Sequence, residues 1–252
     1  MKKFIITFTI LCSKVRAHGV AGTARAIYYK VVWKIDEIVK TIFPSLDPHS
    51  YLKEVTGVIH VGANSGQERE LYEKYKLKVL WVEPLPDIFE QLCKNISSFP
   101  NQTAVNYLIT DKDNVEYLFH VANNDGHSSS ILELAKHYEI WPDVHCVSKI
   151  TLRSVTLDHL LKNFGNEVPS YDALVMDTQG SELLVLKGAA KSLGQFKFVR
   201  TEAADFEVYA HCARVEELTS YLTQFGFMLI RSDKFAESPE GGRCFDLLYR
   251  KY

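Results

Sequence analysis

Four short stretches of this 252-residue chain gather residue types that could do chemistry. In the first, VTGVIHVGANSGQERELY at residues 55–72, Gly62, Asn64 and Gly66 stand at G-x-N-x-G spacing with Ala63 inside the turn. A turn from strand to helix needs residues that tolerate positive φ, or that carry no side chain where a ligand approaches, and Gly and Asn meet that need. In the second, KVLWVEP at residues 78–84, Glu83 closes the next apolar run, seventeen residues after Gly66. A carboxylate at the end of a second strand can accept both hydroxyls of a ribose. Together the two stretches describe a nucleoside-binding edge. A dinucleotide site prefers G-x-G-x-x-G, so that pyrophosphate rests on a helix N-terminus. Here Asn64 replaces the second glycine and Glu68 falls in the first helical turn, which disfavours an anion but suits the ammonium and sulfonium of S-adenosylmethionine.

The third stretch, VMDTQGSE at residues 175–182, sets Asp177, Gln179 and Glu182 at the carboxyl edge of an apolar strand, and the fourth, FKFVRTEAAD at 196–205, brings Glu202 and Asp205 to the end of a neighbouring one. Methyl transfer from a sulfonium starts from an activated donor, so alignment does most of the work, with effective molarities of ~10⁵ to 10⁸ M for well-placed partners. A base adds to this when the acceptor is a hydroxyl of high pKa. Asp177 is the first candidate for that base and Glu202 the second, with a salt bridge from Glu202 to Arg200 as the structural alternative. Gln179 and Glu182 stand on the acceptor side, although a charge at a helix N-terminus explains Glu182 more simply. Carboxylates on adjacent strand ends also suit magnesium or calcium. Without a fixed ligand spacing, a divalent metal is not the favoured expectation.

These residues need strands to hold them. Apolar runs of strand length at 55–61, 78–83, 103–109, 171–177, 196–202, 226–231 and 243–250 alternate with helical periods at Gln67–Lys76, Pro86–Phe99 and Gly180–Leu193. That alternation predicts an α/β, Rossmann-like doubly wound sheet, mostly parallel with an antiparallel last strand. Residues 114–154 break the pattern as an insertion: NVEYLFHVANNDG reads as a strand pair or extended excursion, and SSSILELAKHYEI as a helical segment opened by Ser128, Ser129 and Ser130. Loops beyond the carboxyl edge of such a sheet commonly set specificity. Residues 51–252 thus form one domain, and 1–50 a helical appendage in which Ile27, Val31, Ile35, Ile38 and Ile42 share a face ending near Pro44. Such a face packs on its own domain or on a second subunit, and Arg25, Lys30 and Lys34 also suit weak contact with an anionic membrane surface.

Bulk properties exclude several classes. With 46% hydrophobic and 24% charged residues the chain is an ordinary globular one, long enough for a real core. The net charge is −2, but residues 1–40 hold eight Lys or Arg against Asp36 and Glu37, which leaves the remainder at −8. An acidic body gives no footprint for a nucleic-acid backbone, so nucleic acid is not an expected partner. Five cysteines without a CxxC pair argue against a disulfide framework and for a reducing compartment. The start MKKFIITFTILCSKVRA resembles a weak signal peptide with a poor cleavage site, and a cytoplasmic location is the expectation.

Taken in order, VIHVGANSGQERELY, VLWVEPLPDIFEQL, SVTLDHLL, YDALVMDTQGSELLVLKGA and TEAADFEVYA resemble the successive blocks of FkbM-type methyltransferases over about residues 55–250. The resemblance implies a Rossmann-like methyltransferase fold that uses S-adenosylmethionine, typically for O-methylation and often of sugar hydroxyls. Gly62, Ala63, Asn64 and Gly66 match the family's cofactor loop, and Glu83 matches its acidic residue after the second strand. His60 stands where many members have Asp, near the methionine end of the cofactor. Asp111, in ITDKDN, is placed to reach the adenine amino group, or simply to form a turn. Ser129, within the family-like block DGHSSSILEL, would line the cofactor site, while an N-cap accounts for one serine of the run. Tyr209 resembles a family tyrosine near the acceptor pocket, with packing as the alternative. The acceptor expected is a small molecule or glycan. Two other classes share these features: an NAD-dependent oxidoreductase, and a non-catalytic cofactor-binding or assembly protein on the same fold.

Overall fold

The computed structural model describes residues 47–164 and 171–252. The expected helix before Pro44 and the apolar start of the chain lie outside the described residues. Residues 51–252 form a compact unit of their own.

In chain order its elements are β1 (Gly57–Val61), α1 (Arg69–Lys74), β2 (Lys78–Val82), α2 (Pro86–Ile96), β3 (Gln102–Val105), β4 (Leu108–Ile109), β5 (Glu116–Ala122), β6 (Cys146–Val155), α3 (Leu157–Phe164), β7 (Ala173–Met176), α4 (Glu182–Gly188), β8 (Phe198–Ala204), α5 (Val215–Thr223), β9 (Phe227–Glu237) and β10 (Arg243–Lys251). The main sheet has seven strands in the order β3-β2-β1-β7-β8-β10-β9. β3, β2, β1, β7 and β8 run parallel, and β10 is antiparallel to both β8 and β9. Successive strands leave β1 in one direction and β7 in the other. The crevice at the carboxyl ends of β1 and β7 is therefore the switch point where ligands bind in open α/β sheets.

Both central strands are buried along their whole length, GVIHV in β1 and ALVM in β7, as a parallel sheet covered on two faces requires. Alternation divides the core into two layers. Ile59, Val61, Leu80, Leu174, Met176 and Val199 fill one face, while Val58, Val79, Trp81, Val175, Phe198 and Leu248 fill the other. His60, Arg200, Glu202 and Asp246 share the second face by the same period of two.

Three local expectations change. The run at 103–109 is two strands: β3 pairs with β2, whereas β4 joins β6 and β5 in a separate three-stranded sheet. Asn106 marks the break, its amide donating to the backbone oxygens of Glu83 at 2.8 Å and Pro84 at 3.0 Å. NVEYLFHVANNDG is an extended excursion with one strand, β5, whose partner β6 comes later in the chain, and the segment after Ser128 is not an α-helix. Ser130 exchanges both backbone bonds with His120 at 2.8 and 3.1 Å, which removes its groups from any helical ladder, and only Lys136–Glu139 makes a 3-10 turn. The helix expected over Gly180–Leu193 is shortened to α4 because Gln179 and Gly180 adopt φ of +53° and +97°. Helices α3 and α5 and the far end of β9 were not expected. Among the described residues no helix is long and apolar enough to cross a membrane.

Candidate active site

The turn from β1 to α1 is shaped by three left-handed residues, Gly62 at φ +79°, Asn64 at +43° and Gly66 at +73°. At Gly62 a Cβ would stand 1.9 Å from the Asp177 carbonyl oxygen, so β7 can pass this close only to a glycine. At Gly66 it would stand 2.7 Å from Leu92 Cδ1 on α2. The backbone N–H groups of Gly62 and Ala63 both donate to the Val82 carbonyl, at 2.9 and 3.1 Å, which ties the turn to the end of β2. There Glu83 is gripped from two sides: Asn64 N–H donates to Oε2 at 2.8 Å and Leu85 N–H to Oε1 at 2.9 Å. Each oxygen keeps a lone pair for a further donor. Burial pushes the Glu83 carboxyl up to about 7; the two N–H bonds oppose the rise and the nearby Asp177 adds to it.

Above the turn lies a cleft of about 260 Å³ that joins Gly62, Ala63, Asn64, Glu83, His60, Asp177, Gln179 and Ser129. Leu85, Leu108, Ile109 and Phe119 add apolar wall, and Gln67, Glu68, Tyr107, His127, Thr178 and Ser181 add polar groups. The buried hydroxyl of Thr178 has no partner among the described residues. His60 stacks on Trp81 with ring centres 5.0 Å apart, and its Nδ1 lies 3.1 Å from the Tyr72 hydroxyl and 4.0 Å from Glu68. Burial lowers its pKa against the pull of Glu68, which favours the neutral imidazole. The insertion closes over the glycine turn: Asn64 Nδ2 donates to the Asp125 carbonyl at 3.1 Å. Ser129 accepts from Ala122 N–H at 3.0 Å and retains its own proton for donation.

The turn after β7 carries the second group of residues. Asp177 continues the ladder by donating its N–H to Val61 at 2.9 Å. Gln179 Nε2 donates to Asp177 Oδ1, Tyr209 O–H donates to Gln179 Oε1 at 2.5 Å, and Ser130 O–H donates to the Gln179 carbonyl at 2.8 Å. These contacts fix which way the Gln179 amide faces. Burial pushes Asp177 up to about 6. Glu182 is buried and staples its own turn, accepting from Thr178 N–H at 2.9 Å and Gly180 N–H at 3.2 Å, and burial pushes it up to about 7. Arg200 pairs with Asp246 at 2.6 Å, on the strand opposite Glu202. Glu202 is half-buried, and burial together with Asp177 and Asp246 pushes it up to about 9. It lines a smaller second pocket together with Glu182 and Tyr209.

Of the residues singled out by sequence, Asp111 is not brought to the cleft. Its backbone packs beside α4, where a Cβ on Gly188 would meet the Thr110 carbonyl oxygen at 2.1 Å. Leu108 and Ile109 supply the wall from that segment instead. Sequence reasoning missed Thr178, Phe119 and His127. A polar residue inside VMDTQGSE was a signal for the first, whereas the other two depend on how the insertion folds back. Among the described residues no group of three or more His, Cys, Asp or Glu side chains converges as a metal site.

A parallel sheet reversed at β1 and β7, an antiparallel β10 and a glycine turn facing a carboxylate after β2 define the α/β, Rossmann-like fold of class I methyltransferases. The chain belongs to the FkbM methyltransferase family: the model of the methyltransferase FkbM domain matches residues 60–229. It is 28% identical over 160 residues to the 2-O-methyltransferase NoeI of Sinorhizobium fredii (strain NBRC 101917 / NGR234), which covers 60% of this chain and 65% of that protein. The chain thus spans 65% of the length of that curated relative. Solved structures similar to it include M. capricolum TrmK in complex with S-adenosyl-homocysteine, at 9% identity over 82% of this chain and 69% of that one, with a TM-score of 0.46. Magnesium protoporphyrin IX methyltransferase from Synechocystis PCC 6803 with bound SAM is also similar, at 9% identity over 93% and 86% of the two chains and a TM-score of 0.44.

Proposed function

We propose that the protein binds S-adenosylmethionine in the cleft above β1 and β7 and methylates a hydroxyl oxygen of a sugar or glycan. The observation that carries the cofactor is Glu83, a buried carboxylate held by two backbone N–H groups with lone pairs left for a ribose diol. The rest of the cleft fits the same molecule. Leu85, Leu108, Ile109 and Phe119 suit a flat base, the unpartnered Thr178 hydroxyl can take a hydrogen bond, and Glu68 and Asp177 favour a cation over a pyrophosphate.

When bound, the cofactor supplies a methyl group on a positively charged sulfur. The chain's residues align the acceptor and handle its proton. Gln179 occupies Oδ1 of Asp177, so Oδ2 would be the atom left to take the acceptor hydroxyl's proton when the methyl group is transferred. The products are the methyl ether, S-adenosylhomocysteine and a protonated Asp177, which returns its proton to solvent. Membership of the FkbM family and a relative named as a 2-O-methyltransferase support oxygen as the acceptor atom.

Incubation with methyl-labelled S-adenosylmethionine and a panel of glycans, amines and nucleic acids tests the reading. Label should enter a glycan only with the protein present. Transfer confined to amines or nucleic acid would overturn the acceptor class.

A further inference from the structure

A second pocket of about 60 Å³ opens beside the cofactor cleft, and Gln179 lines both. Three aromatic residues, Trp141, Tyr209 and Phe235, share its wall with the carboxyls of Glu182 and Glu202, and among the described residues no Lys or Arg lines it. They come from three separate parts of the fold. Trp141 belongs to the insertion and rests on His137, with ring centres 4.7 Å apart. Phe235 is the extra residue of a bulge in β9, between Lys234 opposite Phe245 and Ala236 opposite Cys244, and is 46% exposed. A bulge re-aims a side chain that regular pairing would fix. The hydroxyl of Tyr209 is committed to Gln179, whereas the Glu202 carboxyl has no hydrogen-bond partner among the described residues.

Exposed aromatic faces beside an unpartnered carboxyl suit a ring with C–H groups on one face and hydroxyls at its rim. An anionic substituent buried there would lose its hydration with no cation among the described lining residues to answer it. We propose that this second pocket is the acceptor site and that it takes a glycosyl ring without an anionic group, stacked on Trp141 and Phe235 with a ring hydroxyl hydrogen-bonded to Glu202. The shared Gln179 then sets the acceptor next to Asp177. This rests on the methyl-transfer reading above and deepens it.

The test uses the full chain saturated with S-adenosylhomocysteine and reads binding by saturation-transfer NMR, without turnover. The probes are methyl glycosides of glucose, galactose, mannose, glucosamine and glucuronic acid. At least one neutral or amino glycoside should bind, and the glucuronide about tenfold more weakly or not at all. Trp141→Ala should abolish glycoside binding while S-adenosylhomocysteine affinity is unchanged. Glu202→Ala should weaken glycoside binding about tenfold, because the rim hydrogen bond is lost. Glucuronide binding equal to glucoside binding, or variants that bind every probe as the native chain does, would overturn the pocket and leave sugar methylation standing. A loaded protein that binds no glycoside would overturn the sugar acceptor as well, with the cofactor reading intact.

Discussion

Glu83 must be ionised to accept two hydroxyls, yet it sits where burial favours its neutral form. Its folded value of about 7 is raised above the ordinary 4.5, and Glu182 at about 7 and Glu202 at about 9 are raised in the same way. A carboxyl raised on folding contributes stability that is complete below its ordinary value and is lost as pH climbs through the folded value. His60 and His137 are lowered by burial, so their contribution is complete above the ordinary 6.5 and changes only at lower pH. Glu83 and Glu182 complete their loss by about pH 7, so between about pH 7 and 9 Glu202 dominates. The melting temperature of the ligand-free protein should fall over that interval, and Glu202→Gln should flatten the fall. A melting temperature that rises with pH would contradict the assignment. Asp177 makes a different demand. Replacing it with Asn keeps the size and removes the proton acceptor, so methyl transfer should drop by about 10² to 10⁴ with S-adenosylhomocysteine affinity preserved. Single-turnover rates and calorimetry on the same preparation check both halves, and near-native turnover would move the base elsewhere.

Elements decide whether these side chains meet. The closest approach in the site is between two turns, where Gly62 leaves room for the Asp177 carbonyl that a Cβ would strike at 1.9 Å. Gly62→Ala should cost about 2 kcal/mol or more of unfolding free energy, since it adds left-handed strain to a backbone clash, and should weaken S-adenosylhomocysteine binding with it. Urea unfolding measures the first effect, and an unchanged midpoint would show that the two turns part easily. The β1 turn was readable in the sequence because a fully buried strand runs straight into residues of special φ. Glu83 was readable for a related reason, a lone carboxylate closing an apolar run. The split of residues 103–109 was hidden, because it depends on Asn106 reaching back to the backbone of Glu83 and Pro84. So was the extended path after Ser128: ILELAKHYEI has helical content, but pairing of Ser130 with His120 and of Leu134 with Tyr209 overrides it. Asp111 shows the limit of placing a residue by its distance from a strand end, since the strand it was counted from is two strands in two sheets.

On the scale of the whole catalytic unit, two sheets divide the work. The seven-stranded sheet holds the glycine turn, Glu83 and Asp177, and the β4-β6-β5 sheet with its loops contributes Leu108, Phe119, Ser129 and the residues around Trp141. The central claim concerns the first: the cleft is a site for S-adenosylmethionine and not for a dinucleotide. Titration calorimetry of the native chain and of Glu83→Ala with S-adenosylhomocysteine and with NAD tests it directly. The native chain should bind S-adenosylhomocysteine and not NAD, and the folded Glu83→Ala variant should bind it more weakly by about 1.5 to 3 kcal/mol, the range for hydrogen bonds to a charged group. Binding of NAD alone, or a dissociation constant for S-adenosylhomocysteine that Glu83→Ala leaves unchanged, would contradict the account.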